Sequence, residues 1–97
     1  MSYKLRFHAL ALKEWNTLNP VLREQFKKKL AERLEEPRIA SAALAGMRDC
    51  CKIKLRAAGY RLVYQVEDDT LYVTVIAVAR REHLKVYEKA HRRTPSA

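Results

Sequence analysis

The chain has 97 residues, with 20 Lys and Arg against 11 Asp and Glu, giving a formal net charge of +9 and a pI near 9.9. A chain of this size buries roughly 60 to 65% of the surface its unfolded form exposes, which supports one core and excludes a deep enclosed pocket for a large cofactor. Hydrophobic residues make up 48% and are spread along the chain, unlike a disordered basic tail, and no apolar run approaches the roughly 20 residues of a membrane span or forms a signal peptide. One domain over 1–97 is expected, frayed only at 94–97, in the cytoplasm and with no membrane partner.

Tyr3, Leu5 and Phe7 alternate with Lys4, Arg6 and His8, the period of a half-buried strand. Leu10, Trp15 and Leu18 follow in a stretch without Gly or Pro and predict a short helix. It stops at Asn19-Pro20, where Asn caps and Pro opens a second helix. There Leu22, Phe26, Leu30 and Leu34 recur every fourth residue as one apolar stripe, and the helix should end before Pro37. Lys27, Lys28 and Lys29, with Arg23 and Arg33, surround its exposed side. Glu24, Glu32, Glu35 and Glu36 are spaced to pair with several of them. That surface reads either as a solvated helix face or as part of a larger nucleic-acid surface.

After a loop through Gly46 come three β-rich runs, 51–55, 60–67 and 71–79. They are joined by Arg56-Ala57-Ala58-Gly59 and by Asp68-Asp69, connections that fit only antiparallel neighbours. A last helix is predicted from about 82 to 91. The fold class is α+β: an antiparallel sheet, made of the N-terminal strand and a three-strand meander, with helices on one face. Those helices are an N-terminal hairpin and a short C-terminal helix.

The meander has a definite register. If Leu55 pairs with Tyr60, then Ile53 faces Leu62 and Cys51 faces Tyr64, an apolar core face. Across the second turn the same rule sets Val66 against Leu71, Tyr64 against Val73 and Leu62 against Val75. On the opposite face Lys54 lies across from Arg61, with Lys52 two residues along and Arg56 at the loop. Directly opposed like charges on a sheet are unfavourable by up to about 1 kcal/mol. A solvated strand face is the plain reading of any one of these residues. For several converging with no carboxylate among them, the natural missing partner is a polyanion such as RNA or DNA phosphates.

Adjacent Cys50 and Cys51 point to opposite faces of a strand, so they are expected as reduced thiols, one of them in the core. His8, His83 and His91 show no zinc-ligand spacing, and Asp49, Asp68 and Asp69 read as turn residues. No His pair, paired acid or GxS elbow supports a familiar hydrolase, so no metal and no cofactor are expected.

The run from Leu44 through Gly46-Met47, Lys52-Ile53-Lys54-Leu55-Arg56 and Gly59-Tyr60-Arg61-Leu62-Val63-Tyr64 to Val66 closely resembles the RelE toxins of bacterial toxin–antitoxin pairs. So do Val75-Ile76-Ala77-Val78-Ala79-Arg80-Arg81 through Tyr87, the 11–15 segment ending in Trp15, and 21–30. The resemblance covers about residues 3 to 91. It implies a metal-independent, ribosome-dependent endoribonuclease that cuts mRNA in the A site, the ribose 2′-hydroxyl attacking the scissile phosphate to leave a cyclic phosphate. It also implies a RelB-like antitoxin partner, which on physical grounds would be an acidic, partly helical chain.

Carried over by position, Lys52 and Lys54 would bind the backbone, with Lys54 the candidate general base. Arg61 would stabilise the phosphorane, Arg81 would serve the leaving oxygen, and Tyr87 would stack on a base. Positive neighbours are expected to disfavour the Lys54 ammonium, which makes an amine a usable base. Arg48, Arg56, Lys27, Lys28 and Arg80 are candidates for wider RNA and ribosome contacts. Strand alternation alone puts Arg80, rather than Arg81, on the basic face. Two departures stand out: Ala45 where many relatives carry a basic residue, and Cys51 where relatives often carry an aromatic one. Two rival functions remain at this stage: non-enzymatic inhibition of DNA gyrase, as in the related ParE toxins, and RNA binding without turnover.

Overall fold

In a computed structural model, residues 2–80 and 85–94 are described, and they contain β1 (Lys4–Phe7), α1 (Ala9–Asn16), α2 (Pro20–Glu35), a 3-10 turn (Ala40–Ala42), β2 (Cys50–Leu55), β3 (Tyr60–Glu67), β4 (Tyr72–Arg80) and α3 (Lys85–Arg93). The α2 start is as predicted: Asn19 Oδ1 accepts the Val21 N–H at 2.8 Å and Pro20 occupies the first turn. At α1 the imidazole of His8 serves as the cap, its Nδ1 accepting the Leu10 N–H at 3.2 Å.

The sheet order is β1-β4-β3-β2, with the meander antiparallel and β1 parallel to β4. The sheet is therefore mixed, not wholly antiparallel as expected. Period-two alternation fixes which face a strand buries but not its direction. Here the helical hairpin carries the chain from one edge of the sheet to the other, a crossover long enough to leave β1 and β2 running the same way.

β2 and β3 pair as predicted, with Cys51 opposite Tyr64, Ile53 opposite Leu62, Lys54 opposite Arg61 and Leu55 opposite Tyr60. The next ladder differs: Val66 faces Val73, Tyr64 faces Val75 and Leu62 faces Val78. The cause of the first shift is a longer turn than Asp68-Asp69, since Leu71 takes a positive φ of 58° and β4 begins only at Tyr72. A bulge then leaves Ile76 without a partner between Val63–Ala77 and Tyr64–Val75. That extra residue reverses the alternation of the rest of β4.

Both faces of the sheet are covered, not one. On the first, Phe26, Leu30, Trp15 and Leu18 of the hairpin region pack on Ile53, Leu62, Tyr64, Val73 and Val75. On the second, Val86 and Ala90 of α3 pack on Cys50, Val63, Ile76 and Ala77. Arg33, expected on the exposed side of α2, points inward. It follows Phe26 and Leu30 at helical spacing and donates to Tyr64 Oη at 2.7 Å and to the Lys52 carbonyl at 3.3 Å. Tyr64 Oη in turn donates to the Pro37 carbonyl at 2.6 Å, closing a buried network between α2 and β2–β3. Thr94, expected in a frayed tail, is tied to the end of α3, its N–H donating to the Ala90 carbonyl at 3.0 Å. Among the described residues, no helix is long and apolar enough to cross a membrane.

Candidate active site

The second face of the sheet changes character along the strands. Where α3 lies across it, positions 50, 63 and 77 hold Cys, Val and Ala, all buried. One step further on, Lys52 lies opposite Val63, and beyond it Lys54 lies opposite Arg61, which lies opposite Ala79. Lys52, Lys54 and Arg61 are half-buried, and Arg56 is exposed in the loop just past them. Among the described strand positions that share this strip, Lys52, Lys54, Arg61, Val63, Ala77 and Ala79, none is a carboxylate.

α3 adds the fourth member. Its buried Val86 and Ala90 seat it on the sheet and set the intervening Tyr87 toward the basic strip. Arg61 Nη1 donates to Tyr87 Oη at 2.9 Å, and the guanidinium carbon stands 5.7 Å from the ring centroid. Lys52, Lys54, Arg61 and Tyr87 are thus brought together from three elements. The geometry suits an extended anionic backbone lying along the strip, with a flat aromatic side chain at its margin.

The other sequence candidates are placed elsewhere. Arg80 is at the same end of the sheet but on the opposite face: the bulge at Ile76 pairs it with Tyr60, whose Oη accepts from Arg80 Nε at 3.2 Å. The expected alternation is corrected there, and the uncharged Ala79 takes the place on the basic face. Arg81 lies outside the described residues, as does His83. Arg48 precedes the far end of β2 and pairs with Asp49 at 3.8 Å. It lines an open groove with Asp68, Asp69 and Thr70 of the β3–β4 turn, at the end of the sheet away from Lys54. Lys27 and Lys28 are exposed on α2, on the hairpin side of the sheet, with Lys27 3.3 Å from Glu24.

The two departures also find their places. Ala45 lines an open groove with Gly46, Met47, Tyr87, Glu88, His91 and Arg92, so Arg92 supplies that groove with a cation where position 45 does not. Cys51 is buried in the hairpin-side core, its Sγ 3.9 Å from the Ile39 carbonyl. Cys50 is buried on the other face, and burial pushes its thiol up to about 11, far from a reactive thiolate. Among the described residues, no group of three or more His, Cys, Asp or Glu could hold a metal ion.

Residues not singled out from the sequence hold α3 in place. Glu14 of α1 meets Lys89 and Arg93 of α3 at 2.9 Å each. The signal was legible: positions 89 and 93 are one turn apart, and Glu14 is the lone acid of α1.

A family model described as the ParE toxin of type II toxin–antitoxin systems, parDE, matches residues 5–84. The mRNA interferase toxin RelE of Escherichia coli (strain K12) is 56% identical over 93 residues, covering 96% of this chain and 98% of that one. The mRNA interferase RelE of Shigella flexneri matches to the same extent. Among solved structures, a doubly substituted E. coli toxin RelE in the free state superposes with a TM-score of 0.91 at 54% identity, covering 98% of this chain and all of that one. RelE in the intact E. coli RelBE toxin–antitoxin complex gives 0.81 at 56% identity, covering 84% and 100%. A RelE–RelB complex from Pyrococcus horikoshii gives 0.63 at 20% identity over 86% and 99%, a likeness of fold. With more than half its residues identical to RelE across nearly its whole length, and with RelE's architecture, the chain belongs to the RelE toxins within the ParE toxin family of type II toxin–antitoxin systems.

Proposed function

We propose that this protein is a toxin endoribonuclease that cleaves mRNA presented in the ribosomal A site, halting translation in the cytoplasm until a RelB-like antitoxin neutralises it. The observation that carries the reading is the meeting of Lys52, Lys54, Arg61 and Tyr87 on one open strip of sheet. It is supported by the names of the relatives, which are mRNA interferases, and by the RelB chain bound in the E. coli complex.

In the proposed reaction the ribose 2′-oxygen attacks the adjacent phosphorus, its proton passes to the Lys54 amine, and the bond to the 5′-oxygen breaks. The products are a cyclic phosphate and a 5′-hydroxyl, the latter taking a proton from solvent as it leaves. Lys52 binds a neighbouring phosphate. Arg61 faces the developing phosphorane, where a fixed guanidinium stabilises charge on equatorial oxygens without itself giving up a proton. Arg81 is assigned to the leaving oxygen on the resemblance alone. Tyr87 offers a stacking face worth about 1 to 3 kcal/mol per base. Among the described residues, the strip's strand positions hold neither a paired acid nor a His couple. Such a site depends on the ribosome to splay and orient the message, the contribution that effective molarity makes elsewhere. The net charge of +9 suits both rRNA and an acidic antitoxin.

The test adds purified protein to ribosomes stalled on a defined mRNA with a vacant A site. Cut message ending in a cyclic phosphate is expected, and intact message overturns the proposal. A gyrase supercoiling assay run in parallel decides the ParE-like alternative. Salt-sensitive ribosome binding with no cut product would instead identify an RNA-binding module without turnover.

A further inference from the structure

β1 covers only part of β4. Its four residues pair with Tyr72 to Val75, and the His8 N–H donates to the Val75 carbonyl at 2.9 Å. Among the described residues, no strand lies on that side of β4 from Ile76 onward. Backbone groups at such an edge need partners. Two side chains supply them. Glu14 Oε1 accepts the Val78 N–H at 3.1 Å, and Arg93 Nη1 donates to the Ile76 carbonyl at 2.9 Å. The two are also paired with each other, Arg93 Nη1 to Oε1 at 2.9 Å and Nη2 to Oε2 at 3.2 Å, while Lys89 Nζ adds a contact to Oε2 at 2.9 Å.

A carboxylate and a guanidinium thus stand where the next strand would be, and they join α1, the bulged edge of β4 and α3. The arrangement is well shielded: the Arg93 and Glu14 side chains are only 11% and 19% exposed. Burial alone would push the Glu14 carboxyl up. The hydrogen bonds from Arg93, Lys89 and the Val78 N–H outweigh it and hold the group below the ordinary carboxylate range.

α3 carries Tyr87 and has only two fully buried apolar residues, Val86 and Ala90, to seat it. A nine-residue helix is marginal without tertiary anchors. Its orientation about its own axis decides whether Tyr87 Oη meets Arg61. The clamp grips the last turn at Arg93 and the middle at Lys89, which fixes that rotation. We propose that Glu14 is a positioning residue for RNA cleavage. Through Lys89, Arg93 and the β4 edge it holds α3 in the one orientation that sets Tyr87 against Arg61. Glu14 touches no substrate, and its effect on turnover runs entirely through Tyr87. The inference rests on the endonuclease reading for its consequence, and on the fold alone for the geometry.

The experiment compares wild type, Glu14→Ala and Glu14→Gln, the last retaining an acceptor for the Val78 N–H, each alone and combined with Tyr87→Ala. Single-turnover cleavage on stalled ribosomes is expected to fall at least tenfold in Glu14→Ala and less in Glu14→Gln. The half-saturating ribosome concentration is expected to stay near wild type. Adding Glu14→Ala to Tyr87→Ala should cost nothing further, the non-additivity of two residues acting as a unit. Losses that multiply would overturn the proposal, because they would mean Glu14 acts on general stability.

A second readout is independent of cleavage. The NMR shift of ζ-carbon-labelled Tyr87 should move in Glu14→Ala toward its value in Arg61→Ala, while amide exchange quickens in α3 and not in β3. An unmoved Tyr87 signal refutes the positioning role even in a protein that cuts. A wild type that cuts nothing, with the Tyr87 signal still moving, refutes only the endonuclease reading.

Discussion

The two faces of the sheet are made from alternate residues of the same strands and are finished differently. On the hairpin side Cys51, Ile53, Leu55, Leu62, Tyr64 and Val66 are all buried. On the other side Cys50 and Val63 are buried, but Lys52, Lys54 and Arg61 are only half-covered. The helices that cover the two faces also differ in length. The 16 residues of α2 span ~24 Å, close to the ~26 Å of the eight-residue β3, whereas the nine residues of α3 reach only ~13 Å. The half-covered end of the second face is where the opposed cations Lys54 and Arg61 sit, a pair that full burial would make costly. One face is therefore built for stability, and the other divides its length between stability and the proposed RNA site.

Neighbours in sequence on opposite faces give the sharpest test of that division, and the largest effect. Arg61→Ala and Lys54→Ala are expected to lower single-turnover cleavage by about 10²- to 10³-fold, the range for removing one preorganised charge from a reacting centre, with thermal midpoints near wild type. Leu62→Ala, one residue away and fully buried, is expected to destabilise the fold by about 2 to 5 kcal/mol while the folded fraction cleaves normally. Denaturant unfolding and cleavage, measured on the same three preparations, check both halves. A folded, fully active Arg61→Ala would dissolve the distinction between the faces.

Much of this was legible in the sequence because β2 and β3 are joined by a four-residue loop and alternate without interruption. Pairing one residue correctly then placed every other, including Lys54 against Arg61. Three features escaped. The direction of β1 is decided by the crossover and leaves no mark on a period-two pattern. The bulge at Ile76 is hidden because β4 reads Val-Ile-Ala-Val, where an extra apolar residue looks like its neighbours. That one insertion moved Arg80 to the Tyr60 side. Arg33 was read as surface charge because residue type outweighed position. Its spacing from Phe26 and Leu30 already placed it on the inward stripe, where Tyr64 Oη and the Lys52 carbonyl receive it.

The Arg33–Tyr64 network tests the hairpin face at an intermediate scale. Tyr64→Phe removes the donor to the Pro37 carbonyl and an acceptor of Arg33 from a fully buried site, at an expected cost of about 1 to 3 kcal/mol. Burial pushes the Tyr64 phenol up from 10.0 to about 12, partly offset by Arg33. Between those values the unfolded chain has lost a proton that the native state retains. Stability is therefore full below pH 10 and falls as pH rises toward 12, by about 2 to 3 kcal/mol from this group. Tyr64→Phe should flatten that alkaline decline, as followed by urea midpoints from pH 9 to 11.5. Cleavage per folded molecule should be unchanged, because the network touches the open face only through a backbone carbonyl.

The smallest effect expected is also the one that asks what the closed face does outside its core. Lys27 and Lys28 are exposed on α2, across the sheet from Lys54, and on the proposed reading they are candidates for wider RNA and ribosome contacts. A lysine that meets a phosphate contributes through counterion release, so its loss weakens binding and flattens the salt dependence by about one unit of slope or less. The exposed pairing of Lys27 with Glu24 at 3.3 Å adds little to stability. The double variant Lys27→Ala with Lys28→Ala should therefore keep its thermal midpoint and its cleavage rate at saturating ribosomes. The half-saturating concentration should rise a few-fold at low salt and converge on wild type at high salt. A fall in the saturated rate would mean that the hairpin face helps orient the message, and the chemistry could no longer be confined to the strip beside α3.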